Sequence, residues 1–235
     1  MKKLILLAVV IFAVSTAFAD DTIYDIQNGT IPSGTYVNVE GVVVTAGPYE
    51  YTSTGAYCFV EEPGGGAYSG VEVYWGSALA GTYGGLVRGD VVNVSGTTGE
   101  YYDMTEIDMS APGDTLIVVG TAPVPGPDLV NADEMMSEPW EAVLCVTNCC
   151  VCTVAPNDYG EWFVEDAFGT AKCDDKGLNL TYVAAYGDWR IITGVVWYSY
   201  GEFNISPRDD GDVFDPGGPT AVEPTTWGGI KGLYR

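Results

Sequence analysis

The 235 residues contain no histidine. That absence removes Ser-His-Asp and Cys-His nucleophile systems, imidazole zinc sites and histidine general bases together, so an enzyme here would run on carboxylates, tyrosines or lysines. Positive charge is scarce too, with 9 Lys and Arg against 32 Asp and Glu. Long apolar runs are also missing. The longest, Leu4 to Val14, falls short of the roughly 20 residues that span a bilayer. With Lys2 and Lys3 before it and Ala17-Phe18-Ala19 after it, this run has the form of a secretory signal peptide over residues 1–19. The mature chain is then expected to start near Asp20, secreted or attached to the cell surface, with all 32 acids and 7 of the bases. A surface so acidic repels phosphate backbones and lacks the counterion-releasing lysines of nucleic-acid binders, so nucleic acid is not the expected partner.

What is abundant is turn and strand material: 31 Gly, 13 Pro and 16 Tyr. This is the composition of short strands joined by tight turns. One unit occurs twice. Gly89 to Ile107 reads GDVVNVSGTTGEYYDMTEI, and Gly187 to Ile205 reads GDWRIITGVVWYSYGEFNI, without a gap. Two further blocks repeat in the same order: VEGVVV at 39–44 with WEAVLC at 140–145, and FVEE at 59–62 with FVED at 163–166. Order preserved with changing loop lengths means duplication, and a period near 100 residues suits tandem domains rather than a solenoid. Pro123, Pro125 and Pro127 form a stiff connector between the copies. The expected organisation is a first domain over 20–122, a second over 123–213, and a linker and tail over 214–235.

Each half reads as five strands, the first interrupted by Gly41 in a way that suggests a β-bulge. The expected fold class is all-β, two tandem five-stranded Greek-key barrels of the oligonucleotide/oligosaccharide-binding (OB) type. A seven-stranded sandwich per half is the alternative. The blocks VEGVVV, FVEE, GDVVNVSG, EWFVED, GDWRIITG and YGEFNISPRD resemble the OB-fold modules of secreted bacterial proteins, some attached to extracellular nucleases. No nuclease domain accompanies them here, so the resemblance implies a binding module and not a catalytic activity.

The aromatic residues offer the best binding surface. Tyr49, Tyr51, Tyr74, Trp75, Tyr101 and Tyr102 fall at the expected loop 1–2, strand 3 and loop 4–5 of the first half, with Trp197, Tyr198, Tyr200 and Phe203 at the matching corner of the second. Flat rings stack on sugars or bases at low entropic cost. The competing reading is that many of them fill the barrels or their contact. With the charge as it is, an extracellular glycan or protein is the expected ligand. A carboxylate-dependent hydrolase and a self-assembling surface or filament subunit are the alternatives.

Cys145, Cys149, Cys150 and Cys152 crowd one strand, with Cys173 nearby and Cys58 alone in the first half. In an exported chain this reads first as disulfides, with buried thiols or a metal as alternatives, because C-x3-C-C-x-C is not a zinc spacing. No cofactor is expected. Asp209, Asp210 and Asp212 could offer oxygens to Ca2+ but lack the spacing of a calcium loop, and Arg208 is the competing partner for a carboxylate. In the tail, Trp227, Ile230 and Tyr234 follow a proline- and glycine-rich linker. They suggest a sorting or attachment motif read by export machinery, or a tail that merely docks its tryptophan. Oligomeric state is not legible.

Overall fold

The computed structural model describes residues 21–51, 55–79, 81–176 and 180–217; the expected signal peptide and the motif Trp227, Ile230 and Tyr234 lie outside them. A short helix α1 (Ile23–Gln27) leads into strands β1 (Tyr36–Tyr51), β2 (Gly55–Glu61), β3 (Gly70–Gly76), β4 (Asp90–Tyr101), β5 (Met104–Asp108) and β6 (Thr115–Thr121). The second half carries β7 (Asp128–Leu129), α2 (Ala132–Met135), β8 (Leu144–Val146), β9 (Cys150–Val154), β10 (Trp162–Glu165), β11 (Thr170–Cys173), β12 (Trp189–Ser199), β13 (Glu202–Ser206) and β14 (Val213–Phe214). In the first half the order β1-β2-β3-β5-β4 closes on itself through β1–β4, with β3 and β5 parallel. In the second half, β9-β10-β11-β13-β12 closes through β12–β9, with β11 and β13 parallel. These are two five-stranded Greek-key barrels of the OB type.

The long strand β1 serves both sides of the first barrel because it bends. Gly41 adopts φ +74°, and the register against β4 slips between Val39 and Val42. Val37 and Val39 before the slip, and Val42 and Val44 after it, therefore all reach the core. The repeated Ser-Gly and Thr-Gly pairs also have a physical cause. A Cβ on Gly96 would lie 2.7 Å from the Asp108 carbonyl oxygen, and one on Gly194 would lie 2.5 Å from that of Ser206. Both glycines sit where the fourth strand of a barrel crosses its fifth too closely for any side chain.

The likeness of the halves extends to the hydrogen bonds made by the acids that close the FVEE and FVED blocks. Glu62, just past β2, accepts a hydrogen bond from the Ile23 amide at the start of α1, at 2.9 Å. Asp166, just past β10, does the same for the Ala132 amide at the start of α2, at 3.0 Å. Each barrel thus caps its leading helix with the acid that follows its second strand. The sixth strand is repeated in reduced form: β6 runs seven residues along β4, and β14 runs two along β12.

Three apolar clusters hold the molecule together. One fills each barrel, and the third joins them. Strand β2 is buried at every position because its faces look in different directions. Ala56, Cys58 and Val60 point into the first barrel, while Tyr57 and Phe59 point at Ala142, Leu144, Val195 and Trp197 of the second. Each large apolar side chain buried in this way contributes roughly 1.5–3 kcal/mol. Polar ties reinforce the joint. The Leu144 amide donates to Glu61 Oε2 at 3.1 Å, the Thr105 amide donates to Glu141 Oε1 at 2.9 Å, and Arg208 reaches the Thr45 carbonyl at 3.1 Å.

The cysteines depart from expectation, since all six are free thiols. The extended strand supposed for Cys145 to Cys152 is broken between β8 and β9, and the break changes the phase of the alternation. As a result Cys145, Cys150, Cys152 and Cys173 all turn into the second core, and only Cys149 is exposed. Burial pushes the Cys150 thiol up to about 11 and raises those of Cys145 and Cys173 well above the ordinary range. Maleimide labelling of the native protein, followed by mass spectrometry, is therefore expected to modify Cys149 alone, with the other five reacting only after denaturation. Labelling of Cys150 or Cys173 in the native state would contradict this placement.

Candidate functional site: a cleft between two matched corners

The repeated unit ends each barrel in a β-hairpin. Tyr101 pairs with Met104 across the turn Tyr102-Asp103, where φ is 50° and 64°. Ser199 pairs with Glu202 across the turn Tyr200-Gly201, where φ is 53° and 87°. Two consecutive positive φ values define the type I′ turn, which normally takes Asn-Gly or Asp-Gly. Here a tyrosine stands first in both turns, at the same position of the repeat and in a region that bulky residues avoid. Such strain concentrates at functional sites, where the surrounding structure holds it in place.

The joint between the barrels turns these corners toward one another. Between them lies a cleft of about 790 Å³, lined by Tyr57, Glu72, Tyr101, Tyr102, Met104, Lys176, Trp197, Tyr198 and Tyr200. That size and apolar character suit a small organic ring system. Tyr102 and Tyr200 stand at the rim, 78% and 94% exposed, whereas Trp197 and Tyr57 form the buried wall with ring centroids 5.1 Å apart. Tyr101 packs edge-on against Tyr102, and Tyr198 packs edge-on against Phe203, so rings on both corners are braced by neighbours.

Charge within the cleft differs from charge over the molecule. Lys176 places its Nζ 4.3 Å from the Trp197 ring centre and 5.6 Å from that of Tyr200, with Asp174 at 3.8 Å. Burial lowers its pKa. On the floor, burial pushes the Glu72 carboxyl well above the usual carboxylate range, and the nearby charges of Glu106 and Glu141 push it the same way. Glu106, on the neighbouring strand, is raised to about 7 by burial and by Asp108. Glu72 on the floor thus carries less negative charge than an ordinary carboxylate.

Of the aromatic residues singled out from sequence, Tyr101, Tyr102, Trp197, Tyr198 and Tyr200 line the cleft. Trp75 does not: it is fully buried in the first barrel, edge-on to Tyr83. Tyr49 is buried in the joint, with Tyr74 packed beside the same cluster. Tyr51 ends β1, and its side chain lies outside the described residues. Sequence reasoning missed Tyr57, Glu72, Met104 and Lys176. Tyr57 had a signal, since a strand apolar on both faces must have a second surface to cover it. The three aspartates proposed for Ca2+ are engaged by protein donors. Asp209 pairs with Arg88 at 2.8 Å, Asp212 takes two bonds from the Arg208 guanidinium, and Asp210 accepts from the hydroxyl and amide of Thr181. Among the described residues, no group of His, Cys, Asp or Glu side chains is arranged to hold a metal.

Fold and corner geometry together place the chain among tandem OB-like barrel proteins. No protein-family model matches the chain, and no curated protein matches it. Among solved structures it is similar to the Ifi202 HINa domain in complex with 20 bp dsDNA, at 12% identity and TM-score 0.37, over 77% of this chain and 95% of that one. It is also similar to fission yeast Pot1 with ssDNA, at 10% identity and TM-score 0.35, over 87% of this chain and 91% of that one. A replication protein A heterotrimer bound to ssDNA is similar at 8% identity and TM-score 0.34, over 79% of this chain and 53% of that one.

The similar structures are described as DNA complexes, which runs against the expectation of a glycan or protein ligand in place of nucleic acid. Net charge acts mainly at long range. Exposed charges are screened beyond about 8 Å at physiological salt, so the total governs long-range approach and not what a ring-lined cleft accepts at contact.

Proposed function

We propose that the chain is a non-catalytic binding module whose cleft takes the flat base of a nucleoside or of one unit in a short single strand. The observation that carries this reading is the pairing of Tyr102 and Tyr200, held at the same strained turn position of the two repeats, on either side of one cleft. Bases stack on such rings without regard to sequence, at about 1–3 kcal/mol per base. The Glu72 carboxyl below them, shifted toward the neutral form, supplies hydrogen bonds in the plane of the base. The form of residues 1–19 supports export, and an extracellular or surface location, with the terminal segment as an attachment signal, belongs to the same proposal.

The test is quenching of tryptophan fluorescence by nucleosides, with ribose as control, and then by a short oligothymidine at several salt concentrations. Nucleosides are expected to bind, and Tyr102→Ala or Tyr200→Ala to weaken binding about tenfold. Oligonucleotide affinity is expected to rise with salt, the reverse of the usual slope, because screening relieves repulsion and few counterions are released. Absence of binding by every nucleoside would remove the proposal. A steep fall in affinity with salt would move the contact from the cleft to the phosphates.

A further inference from the structure

We infer that Glu72 is the residue that reads the hydrogen-bonding edge of the base in the cleft, an inference that rests on the nucleobase reading above. Glu72 lies mid-strand in β3, in register with Phe59 of β2 on one side and Glu106 of β5 on the other. Its side chain therefore leaves the first barrel on the face turned toward the second. It is only 2% exposed, yet it forms part of the cleft lining. The other acid in the lining, Asp103, sits on the turn at the rim. A ring entering between Tyr102 and Tyr200 would thus meet its wall in Tyr57 and Trp197 and its deepest polar group in Glu72.

The groups facing Glu72 come from each element packed around it. Glu106 comes from β5, Glu141 from the segment before β8, Lys176 from the segment after β11, and Tyr57 and Tyr74 from its own face of the sheet. Burial, with two carboxyls and one ammonium facing Glu72, favours the protonated form. A neutral carboxyl offers an O–H donor beside a carbonyl acceptor, which matches the amide or amidine edge of any base. A carboxylate offers two acceptors and matches only an edge with two adjacent donors. Among unmodified bases that edge is guanine N1–H with its 2-amino group. The protonation state of Glu72 therefore sets base selectivity: permissive when neutral, selective for guanine when ionised.

The experiment measures cytidine and guanosine binding by tryptophan quenching between about pH 6 and about pH 8.5, a range in which both nucleosides keep their neutral form, for the wild type, Glu72→Gln and Glu72→Ala. Wild type is expected to bind both nucleosides at the lower pH, and a preferential loss of cytidine on raising the pH marks the ionisation of Glu72. Glu72→Gln, whose amide copies the donor and acceptor of the neutral acid, is expected to stay within about threefold of wild type at low pH and to show no pH-dependent split. Glu72→Ala is expected to lose about tenfold for both nucleosides, the order of one bidentate contact. Glu72→Ala binding as tightly as wild type, Glu72→Gln failing as completely as Glu72→Ala, or Glu72→Gln showing a pH-dependent split between the nucleosides would each overturn the assignment. If no nucleoside binds the wild type, the nucleobase reading itself falls, a result distinguishable from any of these.

Discussion

Replacing Gly70 with alanine is expected to lower the melting temperature by about 10 °C and to split a single unfolding transition into two. Gly70 begins β3 at the joint, and a Cβ there would lie 2.1 Å from the Ala142 carbonyl oxygen and 2.3 Å from its carbonyl carbon. Both obstacles are backbone, so no rotamer change relieves them. Ala142 cannot shift freely, since it is fully buried with φ +60° and its amide is bound to the Val196 carbonyl at 2.7 Å. Overpacking costs about 1–3 kcal/mol where side chains can adjust, and a backbone collision belongs at or above the top of that range. For a chain of this size each kcal/mol corresponds to roughly 2–4 °C. Calorimetry of Gly70→Ala beside Gly81→Ala, where an added Cβ meets nothing within 4 Å, provides the comparison. Equal melting of the two variants would show that the barrels do not meet as described.

Stability is expected to fall as pH rises from about 5 to about 9, the opposite of ordinary acid denaturation. Burial raises Glu61 to about 7 and Glu141 to about 8, against an ordinary value near 4.5. Between 4.5 and these values the folded chain keeps protons that the unfolded chain has released. The native state then binds more protons, and the free energy of unfolding declines with pH. Below about 4.5 the contribution is complete; above about 8 it is gone. A tenfold difference in proton affinity between folded and unfolded chain is worth about 1.4 kcal/mol, so the two groups together represent several kcal/mol, on the order of 10 °C in melting temperature. Both acids sit in the joint, each accepting a backbone amide from the other barrel, so the loss is localised there. Glu141→Gln keeps an oxygen for the Thr105 amide and cannot ionise. It is expected to flatten the dependence, and a wild type equally stable at pH 5 and 9 would refute the account.

Architecture is legible in the sequence because it is written in local chemistry. Two copies of a Gly-Asp strand pair, a glycine at the bulge of β1 and prolines between the halves identify tandem barrels without any long-range information. Gly89 and Gly187, which open the two copies, adopt φ of 92° and 87° at the entry to β4 and β12. The cleft is only half legible. Its rim tyrosines lie inside the repeat, so the hairpin places them. Tyr57, Glu72 and Lys176 belong to it only because the barrels dock face to face, and no sequence period records that docking. Trp75 misleads for the same reason: strand alternation says that it and Tyr74 face opposite ways, but not which face is the barrel interior. The cysteines mislead through a break of three residues between β8 and β9 that reverses their phase.

The two corners have a further consequence. A single barrel taken alone carries one such tyrosine turn with nothing opposite it. Only where the two copies pack against one another does the second turn supply the opposite wall. The halves differ beside it, Gly99 in one standing where Trp197 stands in the other. The cleft is thus a property of the pair, and neither barrel encloses it alone.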